Sequence, residues 1–344
     1  MSMLHASQVD DRTRLTTTPS TGDIMRWVII ATLPGLATMT FFFGLGVVSN
    51  VVLATAFGLG LEALFLRLRQ RNLRSLNDAS ALLTGVLLGA SLPPASPWWL
   101  IGIGMVAAIV VAKQLYGGLG QNPFNPAMVG YALLLVSFPT YMTLWPAPQS
   151  LWPDTLGSQI MGSISLEQID ALSGATPLDA FKHKADGLTA SQFWANPPLP
   201  PGTLRAWQWI AAAWTAGGAL LLAKRLISWH IPVAMLGSMT AAAALIYVFN
   251  PENAASPWLH LFTGATLFGA FFIATDPVSA ATSQRGKLIY GAGIGLLVIV
   301  IRTWGGYPDA VAFAVLLMNL CVPLLDIYTV PAAAEPRSAD RARP

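Results

Sequence analysis

Cysteine is nearly missing from this chain: Cys321 is the single one among 344 residues. That excludes an intrachain disulfide and an all-cysteine iron–sulfur site. Histidine is sparse, at positions 5, 183, 230 and 260. No two are closely paired, and His230 and His260 fall at opposite ends of candidate helices, which argues against a haem held between them. The fingerprints of zinc sites and phosphate loops are missing, and no glycine-rich loop follows a strand pattern. Ser163 and Ser165 lack the glycines of a nucleophile elbow. Charge is the largest deficit. Only 10% of residues are Asp, Glu, Lys or Arg, against about 25% in soluble domains. The net charge of +3 is small and calls for no nucleic-acid partner.

What fills the chain is apolar: 54% of it is hydrophobic, as expected of an integral membrane protein surrounded by lipid. Ten apolar segments can be drawn, at 25–43, 44–66, 79–92, 98–115, 126–138, 207–223, 231–249, 259–275, 288–303 and 310–328. A straight helical span needs about twenty residues, so 79–92 and 126–138 are too short. Such segments survive at membrane depth only inside protein or beside a cavity. With the N-terminus in the cytoplasm, all nineteen Lys and Arg residues except Lys182, Lys184, Arg205 and Arg302 fall on the cytoplasmic side, as the positive-inside rule requires. Trp27, Trp98, Trp99, Trp207, Trp209, Trp229, Trp258 and Trp304 fall at predicted interfaces, like an aromatic belt. The polar first twenty residues run directly into spans with no small-residue cleavage site, so no removable signal peptide is expected.

The chain repeats itself. Thr84-Gly85 with Gly89-Ala90 recurs as Thr263-Gly264 with Gly269-Ala270. Lys113-Gln114-Leu115-Tyr116-Gly117-Gly118 recurs, one residue shorter, as Arg302-Thr303-Trp304-Gly305-Gly306. Two coincidental matches in a glycine-rich chain are the plain alternative. Five spans per half is an odd number, so true repeats must be inverted, with sites near the midplane at interrupted helices. The expected fold is an all-α polytopic membrane protein of about ten transmembrane segments in two inverted repeats. The divisions are a cytoplasmic tail at 1–24, a first repeat at 25–138, a periplasmic loop at 139–206, a second repeat at 207–328 and a cytoplasmic tail at 329–344.

That polar loop holds the run Asp170-Ala171-Leu172-Ser173-Gly174-Ala175-Thr176-Pro177. Ser173, Gly174 and Ala175 leave the Thr176 hydroxyl sterically open, and Pro177 fixes the backbone after it. Residue by residue this reads as a turn with an N-cap, and Asp170 is placed to cap it. The whole pattern is rarer, arising by chance in about one chain of this length in a thousand. Asp-x-x-Ser-Gly-Ala-Thr resembles the flavinylation motif of the RnfD family, from the Rnf ion-translocating electron transport complex, and of its relative in the sodium-pumping NADH:quinone reductase. Lys113 to Met128, with its Gly117-Gly118-Leu119-Gly120-Gln121-Asn122-Pro123-Phe124-Asn125-Pro126 core, resembles a second signature of that family. The likeness runs from about Met25 to Tyr328.

The resemblance implies FMN joined through its phosphate to Thr176 by a periplasmic flavin transferase, with Asp170, Ser173, Gly174 and Ala175 forming the motif that enzyme reads. It implies an inner-membrane protein that relays electrons in a complex coupling NADH and ferredoxin to ion movement, with RnfA, RnfB, RnfC, RnfE and RnfG as partners. NADH would bind elsewhere in that complex. The family also suggests a second, non-covalent flavin such as riboflavin. Lys113, Asn122 and Asn125 are candidates for it, since two prolines, three glycines and two asparagines between Gly117 and Pro126 cannot form a plain helix; a structural helix break is the alternative. Asp276, before Pro277, is either an ion carrier or a helix cap. Glu62 can pair with Arg67 or snorkel, Asp309 reads as an N-cap, Arg302 as snorkelling outward, and Lys113 as a phosphate ligand or an interface marker. A secondary transporter or channel with no redox role is the competing class, because inverted five-span repeats with broken helices also build such proteins.

Overall fold

A computed structural model of the chain describes residues 20–148, 174–307 and 309–330. Asp170, Ser173 and most of both tails lie outside the described residues. Every apolar segment of the sequence is a helix. The first half comprises α1 (Thr21–Phe43), α2 (Gly46–Leu68), α3 (Ser80–Ser91), α4 (Trp98–Met105, running on as a π-helical stretch Val106–Gln114) and α5 (Pro126–Ser137). Short helices α6 (Pro139–Thr143), α7 (Pro177–Lys182) and α8 (Ala190–Ala195) follow. The second half comprises α9 (Thr203–Ala223), α10 (His230–Phe249), the pair α11 (Pro257–Phe262) and α12 (Thr266–Phe268, continuing as a π-helical stretch Gly269–Ile273), α13 (Gln284–Trp304) and α14 (Val311–Thr329). Helices α1, α2, α10, α13 and α14 are long and apolar enough to cross a membrane.

The short segments behave as their length demands. Helices α3 and α5 have 12 residues each, or about 18 Å at 1.5 Å per residue. Ten of the twelve residues of α3 are buried, so protein rather than lipid covers it. It lies against α2 through Gly85 and Gly89, where an added Cβ would sit 2.6 Å from Thr55 Cα and 2.7 Å from Val51 Cα. Lipid tails are as apolar as leucine, so close backbone packing through small residues is what holds such helices together.

The two halves meet through equivalent segments. First segment α1 packs on first segment α9, and fifth segment α5 on fifth segment α14, the pairing that a twofold relation between inverted repeats produces. The symmetry is imperfect. The third segment is the unbroken α3 in the first half. In the second half it breaks at Thr263–Ala265, where Gly264 takes a left-handed φ of +67°. The repeated Thr-Gly pair is therefore mid-helix in one copy and a break in the other.

Positive charge gathers on one face. Arg26 Nη2 donates to Asn77 O at 3.3 Å, Arg71 Nη1 to Gly117 O at 3.0 Å, and the Lys224 ammonium lies 4.5 Å from the Trp27 ring centroid. Those contacts bring the loops after α2, α4 and α9 to the face where α1 begins. Thr176 and α7 lie on the opposite face. Of the expected tryptophan belt, Trp98, Trp209, Trp229, Trp258 and Trp304 are exposed. Trp207 is not a belt residue: it is buried among Phe43 and Trp145, because it is on the side of α9 that faces the other half.

Gly217 tests the seam between halves. A Cβ there would run into Ala31 O of α1, whereas Gly237 on α10 has open space. Gly217→Val should lower the thermal unfolding midpoint in detergent, at a cost of about 1–3 kcal/mol typical of overpacking, while Gly237→Ala leaves it unchanged. Equal midpoints for both variants would show that α1 and α9 are not in close contact.

Candidate functional site

Thr176 is the N-cap of α7. Its φ of −66° and ψ of 155° are extended, and its Oγ1 accepts from the Asp179 amide at 3.2 Å. Pro177 occupies the first helical position, where a missing N–H costs nothing. Upstream, Gly174 N donates to Trp145 O at 2.8 Å, tying the motif to the chain after α6. Downstream, Leu178 and Phe181 bury in a small cluster with Phe193 and Leu259. Lys182 completes the anchorage. Its ammonium donates toward Arg302 O (3.1 Å), Gly305 O (2.5 Å) and Tyr307 O (2.9 Å), which are carbonyls at the end of α13. Burial holds the Lys182 pKa below the ordinary lysine range, with the Asp179 carboxylate pulling the other way.

Beneath Thr176 a cavity opens between the two halves. It takes up about 990 Å³, open water at its mouth included. Its walls come from both halves: α1, α3 and α5 on one side, α9, α12 and α14 on the other. Trp145, Trp207, Trp214 and Phe268 supply flat aromatic surface, and Tyr131 and Asp309 supply polar groups. The rings are locked edge to face or tilted, with Trp145 and Trp207 centroids 5.6 Å apart and Trp214 and Phe268 centroids 4.4 Å apart. Such packing fixes aromatic orientation.

The mouth is fastened by a charge pair of a buried Arg302 and a half-buried Asp309. Arg302 Nη2 lies 3.2 Å from Asp309 Oδ1, and Nη1 donates to His260 O at 2.9 Å. Asp309 Oδ2 accepts from Ala265 N at 2.9 Å, and Oδ1 from Ala310 N at 2.8 Å. Asp309 is not the N-cap that sequence suggests: the cap position of α14 is Ala310 and carries no side-chain cap bond, and Asp309 binds the amides just before and at the first turn while holding Arg302. Arg302 does not snorkel. It is 5% exposed, because the break in the third segment and α14 both present acceptors to it.

The other sequence candidates are bound into structure. Lys113 is 2% exposed, and its Nζ lies 2.6 Å from Glu62 Oε1 and 2.6 Å from Ser80 Oγ. Gln114 Nε2 donates to the same Oε1 at 2.9 Å. Glu62 therefore pairs with Lys113 rather than with Arg67 or solvent, because it is on the face of α2 turned toward the π-helical stretch. Asn125 caps α5 through Met128 N and donates to Ile273 O at 3.3 Å, a bond across the halves. Asn122 donates to Phe124 O at 3.0 Å, while its buried Oδ1 has no hydrogen-bond partner. Asp276 accepts from Ser279 Oγ at 2.6 Å, within the turns between the π-helical stretch after α12 and α13. Among the described residues no group of three His, Cys, Asp or Glu side chains is arranged to hold a metal ion.

Sequence reasoning missed the cavity and the aromatic rings that build it, since they come from segments far apart in the chain. The repeat aligns Lys113 with Arg302. Both are buried cations at the end of a fourth segment, and each is satisfied by an acid from another segment.

Fold and site together define a helical membrane protein of two internally repeated halves with an aromatic-lined cavity where they meet. The chain belongs to the NQR2, RnfD, RnfE family, whose sequence profile matches residues 8–335. It is 53% identical over 319 residues to the D subunit of the ion-translocating oxidoreductase complex of Marinobacter nauticus, covering 90% of each chain. It is 49% identical over 335 residues to the same-named protein of Vibrio vulnificus, covering 91% of this chain and 94% of that one. The Salmonella newport protein of that name is 50% identical over 328 residues, with 90% and 93% covered.

The buried pair makes a stability test. Lys113→Met leaves Glu62 charged and alone, which should cost about 3–5 kcal/mol. Combining it with Glu62→Leu should recover most of the loss, because an apolar pair of similar volume needs no desolvation. Chemical denaturation in mild detergent measures both. A Lys113→Met chain as stable as the parent would mean that the two side chains are not paired.

Proposed function

We propose that this chain is the flavin-carrying D-type member of an ion-translocating oxidoreductase complex in a bacterial inner membrane, with FMN esterified through its phosphate to Thr176 on the periplasmic side. The observation that carries this reading is the placement of one open hydroxyl at the mouth of an aromatic cavity. The cavity's indole and phenyl faces suit a flat ring system, with Tyr131 and Asp309 offering the few polar contacts that set orientation.

The hydroxyl itself is not prepared for self-attachment. Thr176 Oγ1 accepts from a backbone amide, which lowers rather than raises its basicity, and a threonine hydroxyl needs activation to attack phosphorus. A separate transferase is therefore required, and Ala175, which is exposed, leaves it a path. Once bound, FMN supplies redox chemistry in one- or two-electron steps; the protein binds, orients and shields it. Gly174, Leu178 and Lys182 hold the attachment point over the cavity. Trp145, Trp207 and Trp214 exclude water from its floor, and Arg302 keeps Asp309 and the break at Thr263–Ala265 in place. Electrons would pass to and from neighbouring Rnf proteins on this face, in a complex coupling NADH and ferredoxin oxidoreduction to ion transport.

The denatured chain should fluoresce under ultraviolet light in a gel, and its intact mass should exceed the sequence mass by FMN less one water, mapped to the peptide with Thr176. Thr176→Ala should abolish both signals. Fluorescence that persists in Thr176→Ala would move the attachment elsewhere, and an unmodified peptide from active complex would refute it.

A further inference from the structure

A second cavity opens on the same face, on the far side of Leu178 from the first. It takes up about 700 Å³ with its open mouth. Four basic side chains line it: Lys182, Lys184, His260 and Arg302; no Asp or Glu is among its lining residues. Lys182 is occupied by carbonyls, and Arg302 Nη2 by Asp309. Two nitrogens are left over. Arg302 Nε and His260 Nδ1 are fully buried without hydrogen-bond partners, on residues 5% and 7% exposed. A buried polar atom left unpaired costs about 1–3 kcal/mol; Arg302 Nε–H is a donor, and in the tautomer with its proton on Nδ1 His260 is another, so an acceptor belongs beside them. The Lys184 ammonium lies 5.1 Å from the Phe181 ring centroid, held on that aromatic face at the pocket wall.

The rest of the wall tells which acceptor. Ala243 and Ile246 come from the last turns of the spanning helix α10, next to the loop Asn253–Ala255. The pocket thus sits where a span ends, at headgroup depth, with cations above and apolar surface beside. Charge-assisted bonds to a phosphate oxygen satisfy Arg Nε–H, imidazole N–H and a lysine ammonium together.

We infer that this pocket is a phosphate-oxyanion site, formed by Arg302, His260 and Lys184 and separate from the Thr176 attachment point. Either a phospholipid headgroup or soluble phosphate carries that group. The test uses the full Thr176→Ala chain purified in detergent, so that no ester phosphate is present. Thermal unfolding is followed against inorganic phosphate, with chloride at matched ionic strength as control, and against phosphatidylglycerol in mixed micelles. The expected result is a saturable rise in midpoint with at least one probe. Lys184→Ala should weaken that probe by about tenfold, the order of one charge-assisted hydrogen bond, and Lys184→Arg should retain it. Saturation by phosphatidylglycerol alone identifies the lipid as source, and saturation by inorganic phosphate alone identifies the soluble ion. No saturable shift with either probe, or equal affinities in the parent and Lys184→Ala chains, would overturn the inference.

Discussion

The Arg302–Asp309 pair is the contact on which the site depends. It joins the end of α13, the break in the third segment of the second half and the start of α14. Those elements form one wall of the inter-repeat cavity, and Lys182 hangs the Thr176 helix from the same end of α13. A guanidinium this buried is tolerable only when acceptors surround it. Removing Asp309 would leave the buried Arg302 guanidinium without its anion, the costlier way to break this pair. The cavity wall and the Thr176 helix are therefore coupled through the end of α13.

The same solution appears at the opposite face. Lys113 plays the part of Arg302 in the first repeat, closing α4 against Glu62 of α2 and Ser80 at the start of α3. Each half thus ends its fourth segment in a buried cation satisfied by another segment. The halves differ in what surrounds the cation. The first is packed solid by the close approach of α3 to α2, while the second is opened by the break at Gly264. The cavity forms on the side with the break, as expected where inverted repeats interrupt a helix to make a site.

Much of this was legible in the sequence, and the boundary of legibility is physical. The ten apolar segments match ten helical segments to within a few residues, because the length of an apolar run reports the thickness of lipid it must cross. The short third and fifth segments were legible as interior for the same reason. The capped turn at Thr176 was legible because its makings are local: a hydroxyl, small neighbours and a proline at the first helical position. Non-local pairings were not. Glu62 and Lys113 are far apart in the chain, and nothing in either neighbourhood names the other. Arg302 beside Ile301 reads as a residue that reaches for water, since the acceptors that hold it come from His260 and Asp309. Trp207 reads as an interface tryptophan because sequence does not say which side of α9 faces the other half.

The central claim is that the ring system carried by Thr176 lies within the tryptophan-lined cavity rather than in the water outside. Quenching of flavin emission by iodide in the native, detergent-solubilised chain tests it most directly. The predicted result is emission already dimmed by the neighbouring indoles, insensitive to iodide when native and fully sensitive after denaturation. Native emission as bright and as readily quenched as that of free FMN would contradict it.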